Sequence, residues 1–264
     1  MILTARGKTD QGLVRANNED NLYLDEKLGL LVVADGMGGH ASGETASQLA
    51  VNIIRDYFQK AQAIIGDFDS SYSEVTNKLK SAIHLANIAV FEAAQSSPQL
   101  TGMGTTIAAA LLNGNKLSIA HIGDSRVYLI RAGNIEQLTD DHSIVNEQVK
   151  RDLITKEEAI KSDMKNILTK ALGISPDTEP DLNELTVFDG DILLLCSDGL
   201  TTMVTDEAIL EIISFAENPD AACDSLISAA NNNGGKDNIT VLMGYIRKEK
   251  WYSALFKFME FFRR

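Results

Sequence analysis

Acidic residues follow several apolar runs in this sequence, at positions where a charged side chain could do chemistry. The run 30–34 leads directly to Asp35, and the run 192–196 leads through one serine to Asp198. A charge at the end of a buried strand costs several kcal/mol unless a ligand or an opposite charge compensates it. Glycine follows both aspartates, and its lack of a side chain lets a carbonyl group or a ligand approach closely. Both positions therefore have the setting of a ligand-binding residue.

Three more acidic residues are predicted to meet these two at one sheet edge. Asp124 follows the apolar run 117–122, and Asp237 precedes the run 239–243. In an antiparallel sheet, a strand begins at the edge where its neighbours end, so these side chains can converge, and the segment 18–20, with Glu19 and Asp20, can supply a fifth acid. Converging carboxylates repel one another and take up protons, whereas Mg²⁺, Mn²⁺ and Ca²⁺ prefer oxygen ligands. The sequence therefore predicts a site for Mg²⁺ or Mn²⁺ rather than for Zn²⁺.

A purely structural interpretation of a single Asp-Gly pair stays open. In that interpretation Asp35 lies in a turn and caps the helix that starts near Ser42. The recurrence of the pattern at several strand ends favours the cation site.

The composition limits the class of protein. The 264 residues carry 24 basic and 37 acidic side chains, a net charge of −13, which disfavours nucleic acid as a partner because its binding requires neutralised phosphates. Cys196 and Cys223 have neither metal-ligand nor redox spacing, which indicates a reducing compartment. No signal peptide is recognised, and no apolar run approaches the roughly 18 residues of a membrane span. We expect a cytoplasmic protein.

The predicted elements mix helix pairs with runs of antiparallel strands. Apolar residues recur at helical spacing over 43–61 and 73–95. Two strands at 106–112 and 116–122 flank an Asn-Gly turn that is typical of a β-hairpin. Residues 143–166 are polar and helical, and we expect a mobile excursion over the surface. This order predicts an α+β fold.

The end of the chain differs in composition from the rest. Residues 247–264 contain six basic and two acidic side chains together with several aromatic ones. Two interpretations stay open: a terminal helix that packs on the domain, or a segment that contacts a membrane surface or a partner protein.

Six short motifs, in this order along the chain, resemble the metal-dependent protein phosphatases, the type 2C serine/threonine phosphatases, and the bacterial branch is most similar. The motifs are residues 15–20, 35–39, 104–106, 123–126, 197–200 and 237–238. The resemblance covers residues 4–246 and implies two packed antiparallel β-sheets flanked by helices, a four-layer α-β-β-α sandwich. It divides the chain into a catalytic domain at 1–246, with 143–166 as a flap subdomain, and the tail 247–264.

The resemblance also implies a role for each site residue. Asp35 would bridge two tightly bound ions, Asp124 would bind a third and weaker one, and Arg15 would bind the substrate phosphate, since a guanidinium grips phosphate oxygens bidentately. Glu19 and Asn238 would stand beside the ligands. The implied metal ligands are Asp20, Asp35, the Gly36 carbonyl, Asp124, Asp198 and Asp237, and the implied catalytic residues are Arg15, Asp35, Asp198 and Asp237.

The implied function is hydrolysis of phosphoserine and phosphothreonine in proteins, by a water shared between two Mn²⁺ or Mg²⁺ ions and without a phosphoenzyme. The expected partners are phosphorylated substrates of a serine/threonine kinase, and we expect a monomer. Met37 stands where many eukaryotic members carry a histidine general acid, so that role is not transferred. Two alternatives stay open: an inactive binding scaffold of the same fold, and a metal-dependent hydrolase of small phosphate esters.

Overall fold

The centre of the molecule is a pair of antiparallel β-sheets. The computed structural model describes residues 1–38, 41–60 and 63–249. The strands are β1 Ile2–Asp10, β2 Asp20–Asp25, β3 Leu30–Met37, β4 Gly104–Thr105, β5 Ile107–Asn113, β6 Lys116–Ile122, β7 Arg126–Arg131, β8 Asn134–Gln137, β9 Asp181–Thr186, β10 Ile192–Cys196 and β11 Ile239–Arg247. One sheet has the order β1-β11-β10-β7-β8, and the other has the order β2-β3-β5-β6-β9 with β4 paired to β3. We call them the first and the second sheet.

The helices cover the outer faces of the sheets. They are α1 Ala41–Gln59, α2 Glu74–Ser96, α3 Ile144–Lys150, α4 Lys156–Lys161, α5 Asp198–Thr201, α6 Asp206–Phe215 and α7 Pro219–Asn232. One apolar cluster joins α1 and α2 to the second sheet, and another joins α6 and α7 to the first. A third cluster lies between the two sheets. The predicted α+β sandwich of two antiparallel sheets with flanking helices is therefore confirmed.

Alternation along β3 explains why this strand is apolar at almost every position. Leu31 and Val33 belong to the cluster between the sheets, whereas Leu30 and Val32 belong to the cluster beneath α1 and α2. Successive side chains of a strand point to opposite faces, and here both faces are buried. The strand therefore gives Asp35, two residues after Val33, a rigid support at the sheet edge.

Most of the predicted elements lie close to their expected bounds. The Asn-Gly hairpin joins β5 to β6, and the φ of Gly114 is 64°. The predicted helix 73–95 is α2, whose N-cap Ser73 accepts a hydrogen bond from the Thr76 amide. The predicted helix 43–61 is α1, although Ala61 lies outside the described residues. The segment 143–166 contains α3 and α4, and the side chain of Thr155 caps α4.

The sequence reasoning missed β9, the edge strand that pairs with β6. Its side chains alternate only between exposed and half-buried, because an edge strand contacts a neighbour on one side. Such a strand lacks the apolar run that marked the other strands. The tail residues 250–264, for which two interpretations stay open, lie outside the described part of the chain. None of the described helices is long and apolar enough to cross a membrane.

Candidate active site

Strand pairing brings acidic side chains from both sheets to one end of the sandwich. In the second sheet, Asp20 at the start of β2 stands opposite Asp35 near the end of β3. Asp124 follows β6, whose last residue pairs with the first residue of β5, next to β3. In the first sheet, Asp198 follows β10 and Asp237 precedes β11, and these two strands are antiparallel neighbours. The predicted convergence of strand ends thus has a structural basis in both sheets.

The site holds its carboxyl groups in poor contact with water and close to one another. Burial, together with the charge of Asp198, raises the pKa of Asp20 to about 7 and that of Asp124 to about 8. Burial, followed by repulsion from Asp237, raises the pKa of Asp198 to about 6. The pKa of Asp35 lies well above its usual value because of burial and then of the charges of Asp20, Asp198, Asp124 and Asp237. In the absence of a cation, the site therefore holds protons near neutral pH.

Asp20 gives the most direct evidence that the site can hold a cation. Its Oδ2 accepts hydrogen bonds from Ser197 Oγ at 2.7 Å and from Thr240 Oγ1 at 2.6 Å. Its Oδ1 is buried and has no hydrogen-bond partner among the described residues. A buried carboxylate oxygen without a partner is costly, and a hard divalent cation would satisfy it. The all-oxygen donor set of this site fits Mg²⁺ or Mn²⁺.

The backbone around Asp35 is fixed by two threonines. The Asp35 amide donates to Thr106 Oγ1 at 3.0 Å, and its carbonyl accepts from Thr105 Oγ1 at 2.8 Å. The Thr106 hydroxyl lies 2.6 Å from Ser125 Oγ, next to Asp124. The sequence reasoning noted the motif 104–106 but gave it no role. A pair of hydroxyl residues after a glycine was the available signal.

Two glycines permit close packing beneath the acids. The Gly36 amide donates to the Glu19 carbonyl at 3.2 Å, and a Cβ at Gly36 would collide with the carbonyl of Gly43. A Cβ at Gly199 would collide with the carbonyl of Asn238. The glycine that follows each aspartate therefore lets a neighbouring backbone lie directly against the site.

Arg15 lies at the mouth of the site. Its side chain is 54% exposed, and its Nη2 lies 2.6 Å from Asp237 Oδ2. The hydrogen bond to Asp237, followed by the charges of Asp35 and Asp198, raises the pKa of Arg15. The guanidinium is thus held beside the acids, with part of its surface open to a substrate anion.

Asn238 ties the loop between β1 and β2 to the first sheet. Its Oδ1 accepts from the Glu19 amide at 2.8 Å, and its Nδ2 donates to the carbonyls of Gln11 at 3.0 Å and Asn17 at 2.8 Å. Glu19 Oε1 in turn accepts a hydrogen bond from Asn17 at 3.2 Å. Asn238 and Glu19 thus lie beside the acidic site and position the loop that carries Arg15 and Asp20.

Sequence reasoning missed a cluster of His121, His142 and Asp181, whose ligand atoms lie within 4.8 Å of one another. The Gly123 amide donates to His142 Nδ1 at 3.1 Å, so the ring proton is on Nε2, 3.3 Å from Asp181 Oδ2. The two rings are stacked with an interplanar angle of 19°, so their in-plane lone pairs cannot meet at one ion. The cluster instead joins the Asp124 turn to the start of the flap. No local spacing in the sequence signals it.

Comparisons with known proteins agree with this geometry. The sequence model of the protein phosphatase 2C family matches residues 14–231. A serine/threonine phosphatase, stp, of Listeria innocua is 39% identical over 242 residues, which cover 90% of this chain and 94% of the relative. The crystal structure of the serine/threonine phosphatase PstP/Ppp of Mycobacterium tuberculosis has a TM-score of 0.84 and 39% identity, covering 94% of this chain and 100% of that one. A crystal structure of the PstP catalytic domain in complex with two manganese ions has a TM-score of 0.82 and 39% identity, covering 94% and 99%.

Asp35→Asn is expected to stabilise the metal-free protein. A carboxylate whose pKa is raised on folding favours the folded state less as pH rises from about 4 to about 8, so the melting temperature of the metal-free protein should fall over that range. Asparagine has no proton to lose, so the substitution should raise the melting temperature at pH 8, by roughly 2–4 °C for each kcal/mol gained in a protein of this size. Thermal melts in chelator test this, with the exposed Asp177→Asn as control. Mn²⁺ should then raise the melting temperature of the wild type far more than that of Asp35→Asn. Equal Mn²⁺ effects would contradict the site.

Asn238→Asp is expected to loosen the loop between β1 and β2. The substitution keeps the shape of the side chain but turns a carboxylate oxygen toward the carbonyls of Gln11 and Asn17, which costs about 1–3 kcal/mol. Urea unfolding and limited proteolysis of residues 11–19 measure the effect. Asn233→Asp is the matched control, because Asn233 is exposed and donates to a single carbonyl. Wild-type stability and protease resistance in Asn238→Asp would refute the positioning role.

Proposed function

The chain belongs to the protein phosphatase 2C family of metal-dependent serine/threonine phosphatases, and from this premise we propose that its acidic site hydrolyses phosphoserine and phosphothreonine in proteins. The observation that carries the proposal is the convergence of five aspartates, one of which, Asp20, has a buried oxygen without a hydrogen-bond partner among the described residues. A scaffold without activity has no need of such an arrangement, which destabilises the metal-free fold.

The residues fit two tightly bound divalent ions, Mn²⁺ or Mg²⁺. Asp20, Asp35, Asp198 and Asp237 would hold these ions together with the Gly36 carbonyl, and Asp35 would contribute to both. The PstP catalytic domain in complex with two manganese ions supports this assignment. When bound, such ions lower the pKa of a coordinated water and neutralise charge on the phosphate. Asp124 would contribute to a third and weaker ion.

The hydroxyl groups near the site support direct hydrolysis without a phosphoenzyme. Ser197 Oγ donates to Asp20 and accepts from the Thr240 amide at 2.9 Å. Ser125 Oγ is paired with the Thr106 hydroxyl. Both serines are buried and occupied in positioning, and neither is paired with a histidine base in the described part of the chain. Water is therefore the nucleophile that this site favours.

Arg15 is the phosphate-binding residue in this proposal. Its guanidinium keeps its charge at any working pH and can hold two phosphate oxygens in parallel. The contact with Asp237 orients it before substrate arrives. Arg15 thus contributes binding energy and orients the ester over the acids.

The proposal also includes the domain bounds, the oligomeric state, the location and the substrates of the protein. We assign the catalytic domain to 1–246, with 143–166 as a flap, and the tail to 247–264, whose first residue still belongs to β11 and which contacts a membrane surface or a partner. Three apolar clusters are each completed by elements of this chain, which supports a monomer. Both cysteines are free and buried, which supports the cytoplasm. The substrates would be the products of a serine/threonine kinase.

Arg15→Ala is expected to raise KM for a phosphothreonine peptide roughly tenfold to a hundredfold, with a smaller change in kcat, because one charged contact contributes about 1.5–3 kcal/mol. Steady-state kinetics with saturating Mn²⁺ measure this. Arg6→Ala is the matched control, since Arg6 is equally exposed and also pairs with one carboxylate. A large fall in kcat at constant KM would instead place the role of Arg15 in the transition state.

Asp124→Ala is expected to slow hydrolysis of a phosphothreonine peptide more than that of p-nitrophenyl phosphate. A poor leaving group needs protonation, and a weakly held ion at Asp124 would supply a water as proton donor. Rates on both substrates test this, and calorimetry should still count two tight metal sites. Asp177→Ala, at an exposed position, is the control. Loss of a tight site would place Asp124 in the central pair, and equal slowing of both substrates would refute the proton-donor role.

A further inference from the structure

Two large apolar side chains lie exposed directly beside the phosphate-binding arginine. Leu13 is 69% exposed and Val14 is 68% exposed. Among the described residues, only Phe215 is a more exposed large apolar residue. Single exposed apolar residues are common on proteins, but two in succession at the mouth of a site mark an interaction surface. We call Leu13 and Val14 the apolar pair.

The loop that carries the apolar pair is fixed by hydrogen bonds. The Leu13 amide donates to the Gly235 carbonyl at 2.7 Å, and Gln11 Nε2 donates to the Arg15 carbonyl at 2.7 Å. A Cβ at Gly235 would meet the Leu13 side chain and backbone, so glycine there leaves room for the loop. The exposure of the pair is therefore built into an ordered segment.

The loop also lies against the backbone of an assigned metal ligand. Gly12 has a φ of +75°, and a Cβ on it would collide with the Asp237 carbonyl. The apolar pair thus has a fixed place relative to Asp237 and to its partner Arg15. A rigid apolar surface loses little conformational entropy when a ligand covers it.

We propose that the apolar pair contacts the residues next to the phosphorylated residue of a protein substrate and selects apolar side chains there. This inference rests on the proposed function, since Arg15 must anchor the phosphate. Neighbouring residues of an extended peptide lie about 3.3–3.8 Å apart along the chain. When Arg15 binds the phosphate, the peptide residues one or two positions away from the phosphorylated residue therefore lie close to the apolar pair.

Charge disfavours an acidic substrate residue at this position. The protein carries a net charge of −13, and the acids of the site lie just behind the loop. An acidic neighbour in the substrate would be repelled. An apolar neighbour would instead be buried against Leu13 and Val14, and such contacts change specificity by about tenfold or more. The substrate class is therefore a phosphoserine or phosphothreonine segment with apolar flanking residues.

The test compares two phosphothreonine peptides that differ only in the flanking residues, leucine in one and serine in the other. We expect the wild type to favour the leucine peptide about tenfold in kcat/KM. The double variant Leu13→Ser and Val14→Thr should bring this ratio close to one. Ile2→Thr is the control, because Ile2 is exposed at the opposite end of β1, and it should keep the wild-type ratio.

Further readouts separate the inference from the proposed function. A wild type that hydrolyses p-nitrophenyl phosphate and both peptides without preference overturns the inference and leaves the function standing. A wild type that hydrolyses none of the three overturns the function. Equal loss on both peptides in the double variant would show that the pair only supports Arg15. A wild-type dimer in size-exclusion chromatography that the double variant dissociates would assign the pair to an interface between copies. Either result refutes the inference.

Discussion

Repulsion among carboxylates is the constraint on which this structure depends. The fold must hold five aspartates near one another while burial raises the pKa of four of them. Hydrogen bonds fix the backbone of Asp35 and one carboxylate oxygen of Asp20. Thr105 and Thr106 hold the main chain of Asp35. The acids can therefore be presented with oxygens still available, at a cost in stability that a bound cation would offset.

Both sheets contribute to the site, so hydrogen bonds must join them at that end. Asp20 belongs to the second sheet, yet its Oδ2 accepts from Ser197 and Thr240 of the first sheet. Asn238 performs the same function for the loop that crosses from β1 to β2. These contacts set the spacing between the two halves of the acidic set. Ser197 lies directly before Asp198 in the sequence, as a nucleophile could. Its hydroxyl group instead joins the two sheets by hydrogen bonds.

The acidic set could be predicted because the sequence signals for it are local ones. Strand ends and glycine turns mark Asp35 and Asp198, and antiparallel pairing brings their neighbours to the same edge. What it missed depends on contacts between distant segments. The edge strand β9 lacks an apolar run because it is covered on one side only. His121 and His142 come into contact only in the folded chain, and their spacing in the sequence does not predict the contact. The roles of Thr105 and Thr106 likewise emerge only when β4 pairs with β3.

The apolar layer between the sheets has a consequence for how variants of this protein behave. Leu31 and Val33 of one sheet pack with Leu193 and Leu195 of the other, and the strands that carry these residues lead to Asp35 and Asp198. Protein interiors are close-packed, so removing a methyl group from this layer leaves a cavity. One sheet relaxes partly into that cavity by a small shift over the other sheet. Such a shift changes the distance between oxygen ligands by fractions of an ångström, to which a metal site is sensitive. The distances between the oxygen ligands therefore depend on how the two sheets are aligned. A core substitution can abolish catalysis in a protein that is still folded.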